Sequence, residues 1–111
     1  MNVLQIDDMV RGWFVGPFSP TAHHTTGAEV CVKTYVAGET EARHVHKVAT
    51  EVTAVVSGTV RMDGRELRAG EIAVLEPGEA SDFEAVTDAT VVAVKTPAVA
   101  GDKYLVGDAE C

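Results

Sequence analysis

No run of apolar side chains in the 111 residues approaches the roughly 18 needed to cross a bilayer as a helix, so a helical membrane span is excluded. Positive charge is scarce. Nine Lys and Arg stand against 17 Asp and Glu, a net charge of −8 with neutral histidines, and no basic cluster breaks the pattern. A polyanion is repelled on average, so neither a nucleic-acid nor a membrane partner is expected. Cysteine is nearly absent: Cys31 and Cys111 fit no disulfide framework and no zinc ribbon, which predicts a reduced pair. The first eight residues lack a basic stretch followed by an apolar run, so no secretory signal is read and the cytoplasm is the expected compartment. Glycine and proline, 10 and 4, are too few for collagen or low-complexity chains, and the length suits one domain.

Leucine is scarce too. Four Leu face 19 Val and 11 Thr, and no helix-length window repeats apolar residues at helical spacing. Stiff β-branched side chains suit a pleated sheet, so the chain is read as all-β. Turn residues divide it into eight short strands, at 29–36, 42–47, 51–56, 59–62, 65–68, 71–76, 81–86 and 90–96. Asp63-Gly64 is the strongest hairpin signal, because both residues tolerate the positive φ of a type I′ turn. Strands this short and frequent indicate a sandwich or barrel. The domain core is placed at 29–97, with an N-terminal region 1–28 in which Trp13-Phe14-Val15 forms an edge strand. A tail, 98–111, docks through Tyr104 and Leu105.

The chemistry concentrates between residues 38 and 58. His44 and His46 are two apart on an expected strand, so their side chains share a face with Cα atoms about 6.6 Å apart. A hairpin across residues 47–50 would fold Glu51 over the same face. Two imidazoles and one carboxylate suit a divalent transition metal and leave coordination positions open. Arg43, alternating with His44, points away. His23-His24 reads as a solvated loop pair and Cys31 as a buried thiol.

Gly38, His44-Val45-His46, Glu51 and Gly58, with five, four and six residues between them, resemble the first motif of the cupins; Gly70 and Pro77-Gly78 resemble the second. The resemblance implies a small jelly-roll barrel (a double-stranded β-helix), often dimeric, with His44, His46 and Glu51 holding one divalent iron, manganese, nickel, cobalt or zinc ion. A typical cupin carries a fourth ligand, a histidine, three residues after the glycine of its Pro-Gly turn. Here that residue is Ser81, a poor ligand, and Asp82 or Glu79 beside it is the alternative oxygen donor. In such a barrel Lys33, Tyr35 and Ser81 would line the cavity and meet substrate. A homodimer covering the Trp13-Phe14-Val15 edge is expected. The implied function is a metal-dependent enzyme on a small polar metabolite: an oxygenase if the metal is iron, otherwise an isomerase or lyase. The alternatives are a non-catalytic small-molecule-binding module and a metal-free, sugar-binding, epimerase-like barrel using the His pair for proton transfer.

Overall fold

The β-branched chain does fold as strands. A computed structural model describes residues 1–106, in which ten strands follow a single 3₁₀ turn at Ile6–Asp8. The strands are β1 (Trp13–Val15), β2 (Glu29–Tyr35), β3 (Thr40–Val45), β4 (Thr50–Ser57), β5 (Thr59–Met62), β6 (Arg65–Arg68), β7 (Ile72–Leu75), β8 (Ala80–Ala85), β9 (Ala89–Thr96) and β10 (Tyr104–Leu105). They form two antiparallel sheets of five, ordered β1-β2-β9-β4-β7 and β10-β3-β8-β5-β6. The chain changes sheet at almost every step, the winding of a double-stranded β-helix. Cys111 and the end of the expected tail lie outside the described residues.

Local chemistry sets the crossings. Asp63 and Gly64 have φ of +48° and +76° and close the β5–β6 hairpin, pairing Met62 with Arg65. At Gly58 the chain leaves one sheet for the other with φ +79°, and a Cβ there would lie 2.1 Å from the Asp88 carbonyl oxygen, so only glycine fits.

The hairpin expected between β3 and β4 does not form. β3 pairs with β8 and β10, whereas β4 pairs with β7 and β9, so Glu51 reaches the histidines from the opposite sheet. Alternation along a strand reports which face a residue takes, and says nothing of which sheet the next strand joins. The second expected strand is also displaced: β3 begins at Thr40, ends at Val45, and carries a register shift between Glu41 and His44. That bulge lets Glu41 and His44 share the inner face although they are an odd number of residues apart.

Inward residues grade from apolar to polar along the barrel. Val91 and Val55 are paired, as are Ala93 and Thr53, then Lys95 and Glu51. On β8 the series runs Ala85, Phe83, Ser81, with Ser81 directly opposite His44. The apolar end is the core, built from Val55, Val60, Met62, Phe83, Ala85, Ala89 and Val91. The polar end holds the site.

The termini pack as edges. β1 pairs with the outer edge of β2 through an irregular register. β10 pairs Tyr104 with Val45 and Leu105 with His44, so the tail docks at the two residues expected; the Tyr104 ring also meets the Lys47 ammonium 3.9 Å from its centroid, whereas the Leu105 side chain stays exposed and contributes through its backbone.

Candidate metal centre

β3 carries His44, and the turn just beyond it carries His46. The two rings meet edge to face, centroids 5.2 Å apart. The Nδ1 of His44 donates to the Ala42 carbonyl at 3.0 Å, and the Nδ1 of His46 donates to the Asp102 carbonyl. With the proton held at Nδ1, each neutral ring leaves its Nε2 lone pair free. Glu51 Oε2 lies 3.8 Å from His44 Nε2 and 2.9 Å from His46 Nε2. A ligand atom from each of the three residues falls within 4.8 Å of the others, which is a group able to hold a metal ion.

The donor set fits a cation on a second count. Glu51 Oε2 is buried and has no hydrogen-bond partner. A neutral His46 with Nδ1 protonated has no proton to offer it, so in that tautomer three lone pairs converge in a buried place. Such a convergence requires a proton or a metal ion. The proton-bearing alternative is visible in the site's acid–base balance. The Glu51 carboxylate raises the His44 imidazole above its ordinary value, outweighing burial. Burial pushes the Glu51 carboxyl up, but His44 and His46 together hold it below its ordinary value.

Asp102 went unnoticed in the sequence. Its carboxylate, 6% exposed, accepts backbone N–H bonds from Lys47 at 2.8 Å, Val48 at 3.1 Å and Ala49 at 2.9 Å. Burial acts to raise its pKa, and the three amides together hold it below the ordinary carboxylate value. One residue thus ties down the 47–49 segment with its side chain and orients His46 with its carbonyl. Residues 47–50 contain only one side chain able to accept these bonds locally, Thr50, so an acceptor had to come from elsewhere. Nothing local says from where. Gly78 of the Pro-Gly turn adds a further restraint, donating its N–H to the His46 carbonyl at 2.8 Å.

Ser81 is buried, lines the same cavity opposite His44, and donates its hydroxyl to the Asp82 carbonyl at 2.7 Å. Asp82 borders the cavity, but its carboxylate accepts the Asp63 N–H at 3.0 Å. Glu79 accepts the Glu76 N–H at 2.9 Å across the Pro-Gly turn and does not line the cavity. Neither carboxylate belongs to the converging group.

Lys33 and Tyr35 both line the cavity, and both are engaged by Glu41, a second residue the sequence reading missed. Tyr35 donates its hydroxyl to Glu41 Oε2 at 2.7 Å, and Lys33 Nζ stands 3.4 Å from the same oxygen. Burial and the Glu41 carboxylate push the Tyr35 phenol well above its ordinary value. Strict alternation puts Glu41 opposite His44; the bulge at 42–43 brings it back inside. Arg43 points outward to Asp63 at 2.8 Å, and His23 and His24 are exposed. Cys31 is fully buried outside the cavity lining, and burial raises its thiol to about 11.

The cavity has room for a few water-sized groups, about 60 Å³. Trp13, Lys95 and Lys103 stand with Lys33 in its wall.

No protein-family model and no curated protein sequence matches the chain. Solved structures do. An uncharacterized conserved protein with a double-stranded beta-helix domain from Klebsiella pneumoniae subsp. pneumoniae is 25% identical, with a TM-score of 0.71 over 94% of this chain and 90% of its own. An oxalate oxidase is 26% identical at a TM-score of 0.62, over 72% of this chain and 46% of its own. A sugar phosphate isomerase of the cupin superfamily from Silicibacter pomeroyi is 23% identical at 0.59, over 63% and 50%. The matched regions are about half the length of the latter two. With two antiparallel sheets wound as described, the chain has the double-stranded β-helix fold that it shares with these structural neighbours, one of them a cupin.

Proposed function

We propose that the protein is a metal-dependent enzyme acting on a small polar metabolite, with one divalent transition metal held by His44, His46 and Glu51. The observation that carries this reading is the buried, unpartnered Glu51 Oε2 facing two imidazoles whose Nδ1 protons are committed to backbone carbonyls. Bound there, a divalent ion supplies Lewis acidity and a template for an oxygen-bearing substrate. Three protein ligands leave room for that substrate, because Ser81 replaces what would be a fourth.

The surrounding residues supply the rest. His46 is fixed by Asp102 and Gly78, so the site is preorganised. Phe83, Val91 and Leu75 keep the inner wall apolar and exclude bulk water. Glu41, oriented by Tyr35 and Lys33, presents a carboxylate in the same cavity and is the group placed to take or return a substrate proton. This pairing favours an enzyme over a passive binding module. Among structures of this fold are an oxalate oxidase and a sugar phosphate isomerase, both named for small oxygen-rich molecules. The test separates holding from turning over. Glu41→Gln should retain metal and ligand but stop consumption, whereas Glu51→Ala should lose the metal. Unchanged consumption by Glu41→Gln would remove Glu41 from the chemistry.

A further inference from the structure

The distribution of charge around the cavity runs against that of the chain. Of the nine Lys and Arg residues, four (Arg11, Lys33, Lys95 and Lys103) line one vestibule of about 410 Å³, where Glu29 is the only carboxylate among the described residues. Three of the four, with Trp13, also line the metal cavity, so the two spaces share a wall. In a protein of net charge −8, this is a local inversion at the mouth of the site.

The inversion is built. Lys33 and Lys95 place their ammonium groups 5.4 Å and 4.8 Å from the Trp13 ring centroid, a cation–π arrangement that holds both at the mouth. Each also meets a glutamate at 3.4 Å, Lys33 with Glu41 and Lys95 with Glu29. Arg11 and Lys103 have no ion pair among the described residues. Among the described residues, two of the four positive charges are therefore locally balanced and two face no carboxylate. The inner cavity admits only a few water-sized groups, so a larger molecule held at the metal by one small end would need the neighbouring vestibule for its other end.

We infer that the vestibule binds a second anionic group, so the substrate of the proposed metal site is a small organic acid with two anionic ends. This inference rests on the metal reading for the inner end only. A carboxylate or a phosphate would satisfy the outer end through the same charge-assisted bonds to Arg11 and Lys103.

The experiment titrates three probes, glycolate, malate and 2-phosphoglycolate, into zinc-loaded and metal-free protein by calorimetry. Malate or 2-phosphoglycolate should bind the loaded protein at least about 10-fold more tightly than glycolate, the scale of one charge-assisted contact, and whichever gains more identifies the outer group. Arg11→Ala, outside the metal cavity, should remove most of that gain while leaving glycolate within about two-fold; Lys103→Ala, which also borders the metal cavity, should weaken the doubly anionic probes more than it weakens glycolate, and Lys103→Arg should restore them. Raising salt should shrink the gain, since the vestibule is open to solvent. Equal affinity for all three probes, or variants that weaken all three alike, would overturn the inference. The metal reading fails separately, if zinc is not taken up. In that case the vestibule is judged on metal-free protein, where the doubly anionic probes should still bind and the two variants should weaken them; no such binding overturns it.

Discussion

Replacing Asp102 by alanine should loosen the metal site without touching a ligand. The substitution keeps the backbone carbonyl that accepts the His46 Nδ1–H, and removes the carboxylate that holds the N–H groups of Lys47, Val48 and Ala49. The Ala49 amide belongs to a residue only 1% exposed. Left without an acceptor, a buried N–H of this kind costs about 1–3 kcal/mol. For a domain of this size each kcal/mol lowers Tm by about 4–8 °C. The loop between His46 and Glu51 then no longer sits in one place, and the carbonyl that fixes the His46 tautomer moves with residue 102. Loss of such an outer partner typically costs about 10–100-fold in metal affinity. Asp102→Asn should recover part of the loss, because its one carbonyl oxygen can still accept two of the three backbone N–H bonds while its NH₂ group faces the remaining donor. The assay is competition for zinc against a chelating dye, run beside thermal unfolding of metal-free protein. A variant that melts lower yet holds zinc as tightly as wild type would refute the reasoning: Asp102 would then build the loop and have no hold on His46.

Three further outcomes are expected. Ser81→His places an imidazole directly opposite His44, so metal should survive dialysis against chelator longer than in wild type, while overpacking at this 2% exposed position lowers metal-free stability by about 1–3 kcal/mol; no change in retention would show that residue 81 does not reach the ion. In metal-free protein, Glu51 stabilises above its ordinary 4.5 and loses this as pH falls through its lowered value, while His44 stabilises below its ordinary 6.5 and loses this as pH rises through its raised value. Thermal unfolding should therefore show the pair's contribution largest between about pH 4.5 and 6.5, with the Tm gain on adding zinc growing as pH rises to 8; a gain that shrinks over that range would contradict the ligand assignment. The homodimer expected from the sequence we propose on the outer sheet face rather than on the β1 edge. Val30, Val94, Val52 and Val74 form one uncharged row across four strands, and Val32, Val92, Ala54 and Ile72 form the next, in a protein whose net charge otherwise repels its copies. Light scattering should give a dimer mass for wild type and a monomer for Val74→Lys; a monomeric wild type at tens of micromolar would count against it.

The strands were legible because their causes are local. Valine and threonine alternation, Asp63-Gly64 and the glycine turns each act within a few residues, so the eight expected core strands match β2 to β9 with ends shifted by at most two residues. The edge strand at Trp13–Val15 was legible for the same reason. The spacing of His44, His46 and Glu51 named the residues that the structure brings within 4.8 Å, although the carboxylate arrives from the other sheet and not by a hairpin. What stayed hidden is non-local. Glu41 enters the cavity only because a bulge resets the alternation. Asp102 lies 53 to 56 residues from the atoms it binds, and its role follows from where the tail crosses β3.

The measurement that bears most directly on the central claim is metal content. Protein purified without a histidine tag, loaded in turn with iron, manganese, nickel, cobalt and zinc and then desalted, should carry about one equivalent of at least one of them by elemental analysis. His44→Ala, His46→Ala and Glu51→Ala should each lose most of it while the far-ultraviolet circular dichroism stays β-type. Wild-type protein that retains less than about a tenth of an equivalent of every metal would contradict the account.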